Sequence, residues 1–269
     1  MGTTNSIVNG QSNTPAHIAP EEIAPEKIAP QKIASWGWLV GFLAIGAGVV
    51  LMGFMAQHAP APSGVAATPN QLASHSKAIP IYLTLLAMDW ALLYYCWAGV
   101  HHHGGNLIAL SGARWKSWRD LWVDLAIALP FWVLWEGAAY GTHWLIDSRV
   151  VTSTAAKTVD SLLPKSLAEV VVWIAVSMTA GICEELAFRG FLQRQFHALF
   201  GNLTLAVVAQ GVVFGLFHAY QGWRNVAVIS VLGVVYGAMA TWRGNLRVNI
   251  VTHAWGDLWE GWLKFVVWR

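Results

Sequence analysis

Seven predominantly apolar stretches run along the chain, at 36–56, 79–100, 121–146, 167–191, 203–220, 226–242 and 248–267, the first without a single charge. Each is about 20 residues long, which at 1.5 Å per residue matches a hydrocarbon core of roughly 30 Å. The pattern predicts an all-α, polytopic membrane protein with about seven transmembrane helices. Trp36, Trp97, Trp118, Trp223 and Trp242 stand near the ends of these runs, where interfacial anchors are expected. The first run could instead be a cleaved signal peptide, but it exceeds the usual apolar core of such segments.

Residues 1–35 break the pattern. Ile-Ala-Pro recurs from Ile18, Ile23 and Ile28, with an Ile33-Ala34-Ser35 remnant. Proline at every fifth position blocks a continuous helix, so an extended, disordered tail is expected. Met1-Gly2 also opens a loose myristoylation pattern. The chain then divides into a tail (1–35), a block of N-terminal transmembrane helices (36–146) and a C-terminal helical core (147–269).

Composition sharpens the membrane reading. Apolar residues make up 56% of the chain and charged ones 11%, with 17 Trp, against roughly 25% charged residues in a soluble domain. A net charge of +2 with no long basic stripe gives nucleic acid nothing to bind. Cys96 and Cys183 lie inside apolar runs and read as buried thiols. Lys27, Lys32, Arg114, Lys116, Arg119, Arg194, Arg243 and Arg247 would share one side of a seven-span bundle.

In such a chain, an ionisable group inside a span is costly unless paired or wetted, which makes each one a functional candidate. These are Asp89, Asp124, Glu136, Glu184, Glu185, Arg189, His218, His253, Asp257 and Glu260. Most fall in the C-terminal core, leaving the N-terminal half as scaffold. Glu185 and Arg189, at i and i+4, form a natural pair. That leaves Glu184, about 100° around the helix, as a candidate general base. Glu185 and His218 are equidistant from the Gly201-Asn202 turn, so an antiparallel hairpin puts them at the same depth. His253 and Asp257 again share a helix face, a spacing that lets the carboxylate set the tautomer of the imidazole and turn its other nitrogen away. Glu260 and Lys264 read as a surface pair. His101, His102 and His103 point in three directions on a helix, and Asp89 and Glu136, as single carboxylates, read as hydrogen-bonding groups; all five are left outside the site.

Glu184-Glu185-Leu-Ala-Phe-Arg189, Phe214-Gly-Leu-Phe-His218 and His253-Ala-Trp-Gly-Asp257 together closely resemble the three motifs of the CAAX-protease and bacteriocin-processing family of intramembrane proteases, over roughly residues 165–260. The resemblance implies an endopeptidase acting on a membrane-associated or lipidated polypeptide, embedded in membrane lipid. It implies that Glu184 activates water with His218, that Glu185 and Arg189 support the geometry, and that His253 with Asp257 stabilises the oxyanion. Some members carry Asn at the last position; an ionised Asp cannot donate to an oxyanion and must act through His253 or be protonated. The family is often called a metalloprotease family, yet the glutamate and histidine mechanism needs no cofactor and there is no H-E-x-x-H signature here. The alternatives are a zinc site on Glu184, His218 and His253, a non-proteolytic immunity or scaffold protein, and a transporter or proton relay through Asp89, Glu136 and the C-terminal cluster.

Overall fold

A computed structural model describes residues 32–58, 78–112, 115–147 and 163–267. The repeat tail up to residue 31, including the myristoylation pattern, lies outside them. The helices are α1 (Trp36–His58), α2 (Ala78–His102), α3 (Trp118–Asp147), α4 (Leu167–Glu184), α5 (Gln193–Phe200), α6 (Leu203–Phe217), α7 (Trp223–Arg243) and α8 (Arg247–Val267). A π-helical segment, Glu185–Leu192, joins α4 to α5 in one continuous rod. Seven helical runs therefore fall on the seven apolar stretches, in an all-helical, polytopic membrane architecture.

Among the described residues, five of these runs rather than seven are long and apolar enough to cross a membrane. The 15 residues of α6 rise only about 22 Å; it stops at Phe217, and a 3-10 turn, Ala219–Gln221, follows it. Helix α8 is long enough but carries Arg247, Asn249, His253, Asp257 and Glu260. Both depart from simple spans in the region that holds the chemistry.

Local signals set the ends. Ser166 accepts from Glu169 N, and the Glu169 carboxylate accepts from Ser166 N at 3.1 Å, a capping box that starts α4. Gly201 ends α5 in the left-handed conformation (φ 63°), and the Asn202 side chain accepts from Leu205 N at 2.9 Å to start α6. Two residues thus reverse the chain and form the expected hairpin.

Helices α6 and α7 meet along two facing Gly-x-x-x-Gly stripes, Gly211/Gly215 and Gly233/Gly237, which let backbones approach where lipid offers no hydrophobic drive. A Cβ on Gly233 would lie 2.7 Å from the Cα of Gly211. The buried Gly233 carbonyl accepts from Gln210 Nε2 at 2.8 Å and from Arg189 Nη2 at 3.3 Å. Gly233→Ala should therefore cost about 1–3 kcal/mol through overpacking against backbone, seen as a lower unfolding midpoint.

On the opposite flank, α4 packs on α8 at Gly181 and Ala254, and α3 leans on α7 through Phe131 against Tyr236 (5.2 Å between ring centres). Phe42 of α1 packs against Phe188, Phe191 and Phe217, with ring centres 5.4–5.8 Å apart. At one end of the bundle, Asp124 accepts from Arg243 Nη2 (2.8 Å) and Trp115 Nε1 (2.8 Å) and pairs with Arg247 Nε (2.7 Å). Asp124 is thus a structural tie, and it joins the loop before α3 to the α7–α8 turn, as the shared side expected for their basic residues requires.

Candidate active site

The π segment holds the first motif. Glu185 is fully buried, and both its oxygens accept hydrogen bonds: Oε1 receives Arg189 Nη1 and His253 Nδ1, each at 3.0 Å, and Oε2 receives Asn249 Nδ2 at 3.0 Å. Arg189, also buried, sits over the rings of Phe214 (4.3 Å) and Tyr236 (5.1 Å), which offer a desolvated guanidinium their negative faces. The i, i+4 pair read from the sequence exists, but as the centre of a network spanning the π segment, α7 and α8.

Glu184 is built differently. Its Oε2 has no hydrogen-bond partner and lies 3.8 Å from His253 Nε2. The side chain lines a cavity of about 420 Å³, a size that accommodates water and part of a polypeptide. His218, His253 and Asp257 line the same cavity. His218 occupies the C-terminal cap of α6, where its Nδ1 lies 2.9 Å from the Phe214 carbonyl. A carbonyl only accepts, so Nδ1 carries the proton and Nε2 is left as an acceptor.

The structure corrects one expectation about His253. The carboxylate that sets its tautomer is Glu185, through Nδ1, and not Asp257. Asp257 Oδ2 lies 3.8 Å from Nε2, the nitrogen that also faces Glu184. The close approach of α4 and α8 at Gly181 causes this, because it inserts a neighbouring helix's carboxylate where the i, i+4 rule sees only the histidine's own helix.

Several lining groups escaped the sequence reading. Asp89 and Glu136, assigned to the scaffold half, both stand on the cavity wall, as does Tyr220 of the turn after His218. The Tyr220 hydroxyl accepts from Gln221 Nε2 at 3.0 Å. Asn249 carried no signal beyond lying one turn before His253. Of the groups left aside, His101 stacks on Trp97 and His103 bonds the Gly99 carbonyl at the end of α2. Cys96 and Cys183 are free and buried. Among the described residues, no three His, Cys, Asp or Glu side chains converge as a metal-binding group. A metalloprotease reading therefore gains no support.

Residues 166–259 match the family model described as type II CAAX prenyl endopeptidase Rce1-like. That stretch runs from the cap of α4 through the cavity-lining part of α8 and contains all three motifs, in agreement with the resemblance read from them. No curated protein and no solved structure matches the chain.

Proposed function

We propose that the protein is an intramembrane endopeptidase that hydrolyses a peptide bond of a membrane-associated or lipidated polypeptide. The observation that carries the reading is the unequal treatment of two adjacent glutamates. Glu185 accepts from Arg189, His253 and Asn249, while Glu184 is left without a hydrogen bond to Oε2 and shares a cavity with His218.

In this reading, a water held between Glu184 and His218 Nε2 gives its proton to Glu184 as its oxygen attacks the scissile carbonyl carbon. The developing oxyanion lies near His253, whose Nε2 donates to it when the ring carries both protons. Glu184 then returns the proton to the departing amide nitrogen, and the C–N bond breaks to leave a carboxylate and an amine. Glu185 and Arg189 hold His253 in place and touch no substrate.

The test is cleavage of a panel of membrane-tethered peptides by the reconstituted protein and its Glu184→Ala variant. Equal product from both on every substrate sinks the enzyme reading and leaves an immunity or scaffold role. Cleavage that survives chelation, in protein with no metal by elemental analysis, separates the mechanism from a metal-bound hydroxide.

Asp257 provides a second check. It presents a carboxylate 3.8 Å from His253 Nε2, where an amide would add a donor for the oxyanion. Asp257→Asn should keep or raise the cleavage rate, and complete loss in a well-folded variant contradicts the role assigned to this position.

A further inference from the structure

The wall of the cavity carries more carboxyl groups than the proposed chemistry uses. Five carboxyl groups line it, from Asp89 on α2, Glu136 on α3, Glu184, and Asp257 and Glu260 on α8, together with the imidazoles of His218 and His253, and among the described residues no Lys or Arg does. Asp89 lies close enough to interact electrostatically with Glu184, His253 and Asp257, and Glu136 with Glu260. Like charges gathered at low dielectric repel, and each costs several kcal/mol at bilayer depth unless something compensates it. Neither Asp89 nor Glu136 has an ion pair with Lys or Arg among the described residues. Arg189, the buried cation nearest in sequence to Glu184, is bound to Glu185.

Two further features of the wall suit a cation. Tyr236 is 2% exposed and lines the cavity, yet its hydroxyl has no hydrogen-bond partner, an unusual state for a buried polar group and one that a ligand relieves. The indoles of Trp135 and Trp259 line the same space, and indole is the aromatic side chain best suited to attract a desolvated cation.

We infer that this cavity selects polypeptides carrying a basic side chain, Lys or Arg, within a few residues of the scissile bond, with Asp89 and Glu136 receiving the cation. The inference rests on the endopeptidase reading and adds its substrate class. The N-terminal helices then determine specificity while α4–α8 supply the chemistry.

The experiment uses the full chain in liposomes and one membrane-tethered peptide in three forms, with Lys before the cleavage point, with Lys after it, and with Gln at both places. Whichever Lys form is preferred should exceed the Gln form in kcat/KM by about 10- to 100-fold, the worth of one charge-assisted hydrogen bond. That ratio should fall towards one in Asp89→Asn/Glu136→Gln, with Asp89→Asn alone as the milder variant if the double one folds poorly. Equal cleavage of all three peptides by the wild type overturns the inference and leaves the protease reading standing. If nothing is cleaved, binding of the fluorescently labelled peptides to the Glu184→Gln variant decides. Preference for Lys there keeps the cation site and removes the protease reading, and no preference removes both.

Discussion

Replacing Glu184 with glutamine should lower peptide hydrolysis by about 10²–10⁴-fold, the usual contribution of a positioned general base, with little change in stability. The size of the loss follows from chemistry. An amide of the same shape cannot take a proton from water, and Glu185 cannot substitute, because its oxygens already accept from Arg189, His253 and Asn249. The near-neutral effect on stability follows from structure, since Glu184 Oε2 has no hydrogen bond to lose. Single-turnover cleavage measured beside the unfolding midpoint checks both halves. A variant that unfolds, or one that cuts at the wild-type rate, contradicts the assignment.

Arg189→Met should behave in the opposite way and cost about 3–5 kcal/mol of stability, a large share of the 5–15 kcal/mol typical of a folded domain. The substitution leaves Glu185 ionised and fully buried without its cation, and it also removes the contact to the Gly233 carbonyl and the guanidinium between Phe214 and Tyr236. Adding Glu185→Gln should recover part of the loss by removing the orphaned charge, whereas two independent effects would simply add. Unfolding midpoints of the two single variants and the double variant form the cycle. Activity should vanish in Arg189→Met along with the fold, which distinguishes a supporting residue from a reacting one.

How much of this could be read from the chain depends on the range of each interaction. Spacing along one helix announced the Glu185–Arg189 pair, and symmetry about Gly201-Asn202 placed His218 at the depth of the glutamates. Both are local in a hairpin. The partner of His253 was misread because Asp257 is its neighbour by period and Glu185 only by packing, which depends on how closely Gly181 lets α8 approach. Asp89 and Glu136 read as hydrogen-bonding groups outside the site for a similar reason. A single carboxylate in an apolar run looks the same whether it faces another helix or a cavity, and only the arrangement of α2 and α3 around the core decides. The family match covers residues 166–259 and says nothing of those two helices.

The π segment has a consequence for anyone wishing to transplant this site. Glu184 ends an α-helix and Glu185 begins a wider coil whose hydrogen bonds reach five residues ahead. The two glutamates point about 100° apart, as neighbours on any helix do, one to the cavity and one sealed inside the protein, and the wide coil shifts the phase of everything after them. Writing Glu-Glu-x-x-x-Arg onto an ideal α-helix would keep the letters and lose the phase change. Beyond Leu192 the error would persist, since Gln195, which holds the Ala34 carbonyl at 3.0 Å and so moors the start of α1, would be turned off its target. The short wide coil is therefore a fixed offset between catalysis on one side and assembly on the other, and a scaffold that lacks it can satisfy one of them but not both.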